Sequence, residues 1–545
     1  MPGYDRRRRT GTDRGRNAAA DAAGTVATRV APGPPRIATP VACGGDPGRM
    51  WRRTPGADDG RVTEIIPGLS MSPLEILALL GAVALVLARW LPPAARPRVT
   101  IAAGAVLVLS ALLLGVVGIR WQLLPVLAGA AFALPFAVLP VLRRRAGRPA
   151  WRARWWLALP GSVACVGLIA TGPAAAWAFP VPVFPEPTGG FAVGTRVVQW
   201  TDPHRPETFT ADPDDLRTVV VQLWYPAQKS PAGTQRAQYL GRTAQEARTV
   251  SDALARGVGL PGFLVDGPAR ARSRSVFDAP VDTGGGRFPV VLFSPGSGGV
   301  RTQNTAWAEE LASHGYVVAA LDHPYDSAAV VLADDRTVTT ETTSSGDPDQ
   351  DEKLAAGWTA IRAADLSFVL TRLDALDRGE PADPLTGRLD TGRAAVTGHS
   401  MGGAAALQAA RQDHRFAAVV DLDGYPHGPA SPALDRPALA LTQSITPATD
   451  PRYLPRLTEA LDHGTATSYR LTIPGAGHLT FMDGPLYLPP VPSVVGSLGR
   501  TRSPRVVAGA TLAFLDAVLR DTPGDPAGAL PAYGDLTVHH PGTNP

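Results

Sequence analysis

The chain has 545 residues and a net charge of +4, which averages over opposing regions: residues 1–70 hold 12 Arg against 7 acids, residues 71–180 hold 10 Arg against Glu75 alone, and residues 181–545 hold 30 basic side chains against 40 acidic ones. An acidic C-terminal region argues against nucleic acid as a partner, because phosphate binding needs clustered positive charge. With only Cys43 and Cys165, both N-terminal, that region has neither a disulfide framework nor a thiolate metal site.

Residues 1–70 are rich in Arg, Gly, Pro and Ala and show no sustained apolar period, the composition of a disordered tail. The expectation is an upstream extension, with translation starting at Met71. Four apolar runs follow within 71–180, at 73–91, 99–119, 123–142 and 155–179. A membrane-crossing helix needs about 20 such residues. The third run is the weakest, interrupted by Pro125, Pro135 and Pro140. Trp90, Trp121, Trp151, Trp155, Trp156 and Trp177 fall near run ends, as in an aromatic belt. The first connection carries Arg96 and Arg98 and the third carries six Arg between Arg143 and Arg154, whereas the second has Arg120 alone. Positive loops stay cytoplasmic. The expectation is a multi-pass cell-membrane protein, partnered by the lipid bilayer, with its C-terminal domain extracytoplasmic. If the third run fails to span, that domain faces the cytoplasm.

Residues 181–194 read as a Pro-rich linker. From 195 to 525 short apolar runs (218–226, 288–296, 316–324, 394–400, 416–424, 437–444, 468–475) alternate with helical patterns such as 359–376 and 401–411. Near-continuous apolar strands between helices predict an α/β fold with a mostly parallel, doubly wound sheet covered on both faces. The polar stretch 334–353 reads as a loop, and 526–545 as a C-terminal tail.

Gly398-His399-Ser400-Met401-Gly402 matches G-x-S-x-G between a strand and an Ala-rich helix, the setting of the nucleophile elbow in the α/β-hydrolase fold. A serine hydroxyl needs a base to become a nucleophile. In this fold the order is serine, acid, histidine. His478 fits, on the turn after run 468–475; His463 precedes that run, and His414 and His427 come too early. The acid is open between Asp423 and Asp450, with Asp421 read as structural. An oxyanion hole needs two preorganised N–H donors. Met401, directly after the nucleophile, supplies one, and Ser297 in the loop 293–299 is the candidate for the other.

Several stretches together resemble the plasma-type (isoform II) platelet-activating-factor acetylhydrolase family: LWYPA (223–227), FSPGSGGVRT (293–302), ELASHGYVVAALDHPYDSA (310–328), GRLDTGRAAVTGHSMGGAAALQ (387–408), RFAAVVDLDGYPHG (415–428) and GAGHLTF (475–481). The resemblance is collinear over roughly 195–520. It implies an α/β-hydrolase fold and a Ser400–Asp423–His478 triad, the aspartate standing in the family's Leu-Asp context. It also implies backbone oxyanion donors at Ser297 and Met401, and acyl transfer on short-acyl or oxidised phospholipid esters with no cofactor or metal. Two departures stand out. Pro295 occupies a place where the family often has His, and the secreted members lack the apolar N-terminal runs. The competing readings are a cutinase-like polyester or general short-chain esterase, with its acid one strand later, and an inactive membrane-anchored binding module. The Asp-rich stretch 347–351 lacks the ligand spacing of a calcium loop.

Overall fold

The computed structural model describes residues 71–149, 154–428, 433–445, 450–520 and 524–541. The expected disordered tail, Cys43 and Trp151 lie outside the described residues. The four apolar runs form helices α1 (Pro73–Leu87), α2 (Arg96–Val117), α3 (Leu124–Arg145) and α4 (Trp155–Ala178). All four regions are long and apolar enough to cross a membrane. The start of α1 is a capping box, Ser72 Oγ accepting from Glu75 N–H and the Glu75 carboxylate from Ser72 N–H at 2.7 Å. Pro135 and Pro140 lie inside α3 without ending it, and α4 likewise runs through Pro160 and Pro173. Glycines set the α3–α4 spacing: a Cβ on Gly129 would come within 2.7 Å of Ile169, and one on Gly172 would strike Val126. Outward from the bundle point Leu112, Val116, Phe132 and Trp155, all more than half exposed, an apolar surface suited to lipid.

Beyond the Pro-rich segment, ten strands form one sheet: β1 (Ala192–Pro206), β2 (Leu216–Ala227), β3 (Val276–Phe277), β4 (Phe288–Ser294), β5 (Val317–Asp322), and, past a separate hairpin of β6 (Ala329–Val331) and β7 (Thr337–Thr339), β8 (Leu389–His399), β9 (Phe416–Leu422), β10 (Ala438–Thr442), β11 (Ser468–Thr472) and β12 (Asp535–His539). The spatial order is β12-β11-β10-β9-β8-β4-β5-β2-β1-β3. The block from β5 through β4, β8, β9 and β10 to β11 is parallel. Alternate residues of each central strand feed opposite faces. Val290, Leu292 and Val396 pack against Leu366 and Leu370 of the helix Pro348–Asp377, while Val291, Phe293 and Ala395 pack with Trp307, Leu311 and Phe514. Burial on both faces is why these strands read as unbroken apolar runs.

Three elements differ from expectation. The long β1 joins β2 antiparallel, and β2 joins β5 antiparallel, so one flank of the sheet is not doubly wound. The helix Pro348–Asp377 begins inside the stretch read as a loop: the Asp347 carboxylate accepts from Asp349 and Gln350 N–H, both at 2.9 Å, and Pro348 follows at the first helical position. Part of the expected C-terminal tail is strand β12, which pairs antiparallel with β11 along the edge.

Candidate active site

Ser400 sits between β8 and the helix Met401–Gln412, at φ 57° and ψ −121°. A non-glycine residue held there is strained, and such strain persists only where the surroundings fix it. Two glycines permit the turn. A Cβ on Gly398 would strike the Gly402 carbonyl, and a Cβ on Gly402 would strike the Ser294 carbonyl. The motif's spacing is thus a packing requirement.

The structure brings His478 to Asp423. His478 Nδ1 lies 2.6 Å from Asp423 Oδ2, with the carboxylate fully buried and the imidazole partly exposed. Asp423 is itself in a left-handed conformation, φ 58°, just past the end of β9. It has four donors: Oδ1 accepts from Gln443 N–H (2.9 Å) and Tyr453 O–H (3.1 Å), and Oδ2 accepts from Gln443 Nε2 (2.8 Å) and from His478. Asp423 thus engages Nδ1 and leaves Nε2 as the imidazole's other nitrogen.

The other candidates lie elsewhere. Asp450 accepts from Tyr425 O–H at 2.9 Å and from Arg452 N–H. His463 bonds the Glu459 carbonyl, His427 meets Glu352, and His414 meets Asp435. Asp421 is buried beneath the elbow, where its Oδ1 accepts from Gly424 N–H at 2.9 Å. Burial, and then the neighbouring Asp423 charge, push its carboxyl well above the usual range.

The loop after β4 runs beside the serine: a Cβ on Gly296 would lie 3.5 Å from Ser400 Cβ. Ser297 follows, exposed. Met401 is the first residue of its helix, where an N–H has no intrahelical acceptor.

Several site residues escape sequence reasoning. His399 packs against His478, ring centroids 4.6 Å apart and planes tilted by 35°, and burial, then the nearby His478, pull its pKa down to about 3. Gln303 Nε2 lies 2.8 Å from His399 Nδ1, and Gln303 Oε1 accepts from Gly296 N–H at 3.2 Å. Below the loop, Ser294 Oγ meets His323 Nε2 (2.9 Å) and His323 Nδ1 meets Asp365 (2.8 Å), all three buried. Burial alone would raise the Asp365 carboxyl, but the Arg217 guanidinium and His323 hold it far below the usual range. The arrangement mimics a triad but is sealed in the interior, where it is a structural network.

The family model for platelet-activating factor acetylhydrolase, isoform II, matches residues 178–519, more than half of the chain. The chain belongs to this family. Among similar proteins is the platelet-activating factor acetylhydrolase of Cavia porcellus, 31% identical over 164 residues, covering 27% of this chain and 37% of the relative. A probable 1-alkyl-2-acetylglycerophosphocholine esterase of Arthroderma benhamiae is 27% identical over 249 residues, covering 44% of this chain and 59% of the relative. The chain thus spans less than two thirds of the length of either. Among solved structures, a ferulic acid esterase from Streptomyces cinnamoneus is 28% identical with a TM-score of 0.52, covering 65% of this chain and 97% of that one. The fold is that of the α/β hydrolases, as the family and this neighbour share it, preceded by four apolar helices.

Proposed function

We propose that the chain is a membrane-anchored serine carboxylic-ester hydrolase that acts on short-acyl or oxidised phospholipid esters, with its hydrolase domain on the extracytoplasmic side. The observation that carries this reading is the 2.6 Å contact of His478 with the buried Asp423, on the loops that flank the strained Ser400 elbow. Ser400 Oγ attacks the ester carbonyl while His478 Nε2 takes its proton. The oxyanion is held by the Ser297 and Met401 N–H groups. His478 then protonates the leaving alcohol, and a water deprotonated by His478 releases the acid and restores the serine. Asp423 fixes the imidazole tautomer and balances its charge during each step. No metal or cofactor enters the cycle.

The phospholipid substrate rests on the names of the two relatives. Membrane anchoring rests on α1–α4 and sidedness on loop charge. A cutinase-like reading would use Asp450, which faces Tyr425 and Arg452 instead of His478. The hydrolase domain is taken as residues 195–525 after the linker 181–194. The test uses the full chain in detergent or nanodiscs, with S400A beside it. Turnover is measured on p-nitrophenyl esters of increasing acyl length and on an sn-2-acetyl phospholipid. Activity on short chains that S400A abolishes supports the reading. A folded native chain without S400A-sensitive turnover and without fluorophosphonate labelling overturns it in favour of a binding module.

A further inference from the structure

The loop proposed to hold the oxyanion is irregular backbone, and a donor that moves with its loop stabilises little, since preorganisation is what makes an oxyanion hole effective. Two successive carbonyls of this loop are held by one buried arginine. Arg362, on the helix Pro348–Asp377, is fully buried. Its Nη1 donates to the Pro295 carbonyl and lies 3.4 Å from Ser294 Oγ, and its Nη2 donates to the Gly296 carbonyl at 3.2 Å. Its charge is matched by Asp326, bound in bidentate fashion through Nε (2.5 Å) and Nη2 (2.7 Å). Two successive carbonyls therefore point down onto one planar guanidinium. From the other side Gln303 Oε1 accepts from Gly296 N–H. The Gly296 peptide is held at both ends, and Ser297 N–H is the next amide, with no protein acceptor among the described residues.

The structure assigns Arg362 as a positioning residue: we propose that it orients the 295–297 backbone so that Ser297 N–H is preset for the oxyanion formed at Ser400. This deepens the ester-hydrolase reading and rests on it. An arginine is required because one rigid fork must span two carbonyls and a carboxylate, which an ammonium on a flexible stem does not do. A purely structural role predicts lower stability alone. A positioning role predicts loss at the transition state with substrate binding kept, because the oxyanion exists only there.

The test compares the native full chain with R362K and with R362M/D326N, the second removing both buried charges so that neither is left unpaired. The expected result for both is a kcat lower by about a hundredfold, the cost of one oxyanion donor, with KM within about twofold. Fluorophosphonate labelling of Ser400 should slow in parallel, since the phosphonyl oxygen uses the same hole. The pKa read from the kcat/KM profile should not move, because Arg362 does not touch His478. Either variant, folded, with native kcat and native labelling overturns the assignment, as does a fall in kcat/KM that lies wholly in KM. If the native chain turns over no ester, the ester-hydrolase reading falls and this one with it. If the native chain is active and R362K and R362M/D326N match it, the assignment to Arg362 falls alone.

Discussion

The His399 ring packs against His478, centroids 4.6 Å apart and planes tilted by 35°, with its Nε2 3.1 Å from the His478 carbonyl. Gln303 Nε2 donates to its Nδ1, so the His399 proton sits on Nε2 and points at that carbonyl. The ring is neutral and buried among His478, Gln303 and, further off, Asp423. It buttresses the proposed base without exchanging protons with it. Replacing His399 by Phe keeps a ring but removes both hydrogen bonds. The expected effect is a kcat about tenfold lower, the worth of a hydrogen bond or two at the transition state, in a steady-state p-nitrophenyl ester assay.

The same residue leaves a mark on acid stability. Its folded pKa of about 3 lies below the ordinary 6.5, so between these values the unfolded chain binds a proton that the native state refuses. Stability is therefore full above pH 6.5 and falls as pH drops towards 3, by up to about 1.4 kcal/mol per pH unit. H399F should flatten this slope relative to the native chain when Tm is followed from pH 7 to pH 4. Parallel curves would show that His399 titrates normally.

Asp423 and Asp450 separate the family's arrangement from the cutinase-like one. D423N keeps the shape but presents an amide to His478 and favours the wrong imidazole tautomer. It should lower kcat by about 10⁴ without loss of fold, as judged by circular dichroism. D450N removes a surface partner of Tyr425 and Arg452 and should leave kcat within about threefold, the scale of a surface change below 1 kcal/mol. The reverse ranking would move the acid to β10.

Local chemistry was legible in the sequence where residues near in the chain decide it. The elbow was legible because Gly398, Ser400 and Gly402 meet within one turn, and the helices α1–α4 because about twenty apolar residues announce themselves. Which aspartate meets His478 was not legible from spacing, since Asp423 and Asp450 differ only in which strand end faces His478, a matter of sheet order. Arg362, Gln303 and His399 were missed for a related reason. Arg362 and Gln303 bond partners 66 and 96 residues away, and no local pattern marks a buried arginine on an otherwise ordinary helix. Strand β12 was missed because five residues near the chain end carry little periodicity of their own.

Two glycines with opposite surroundings test the packing of the elbow. A Cβ on Gly402 would run into the carbonyls of Ser294 and Pro295, the backbone that Arg362 also holds. Gly402→Ala should cost more than about 2 kcal/mol, seen as a lower denaturant midpoint, because neither backbone can withdraw. Gly357 lies exposed within the helix Pro348–Asp377, and a Cβ there meets nothing within 4 Å. Gly357→Ala should stabilise by about 0.5–1 kcal/mol through helix propensity and a less flexible unfolded chain.

Asp421 offers the opposite pH signature to His399. Burial raises its carboxyl well above the ordinary aspartate range in the folded protein, so above that range the native state holds its proton more tightly than the unfolded chain does. That difference weakens stability progressively above the ordinary aspartate range and vanishes near pH 4, where the unfolded chain is protonated too. Asn at this position keeps the oxygen that accepts from Gly424 N–H and needs no proton. It also removes any call for a second negative charge beside Asp423. D421N should therefore raise Tm at pH 7, with the gain shrinking as pH falls towards 4, while ester turnover stays within about threefold, a shift below 1 kcal/mol in barrier. A Tm gain that persists undiminished at pH 4 would mean that Asp421 is ionised in the native state, and a collapse of turnover would mean that its proton takes part in the chemistry.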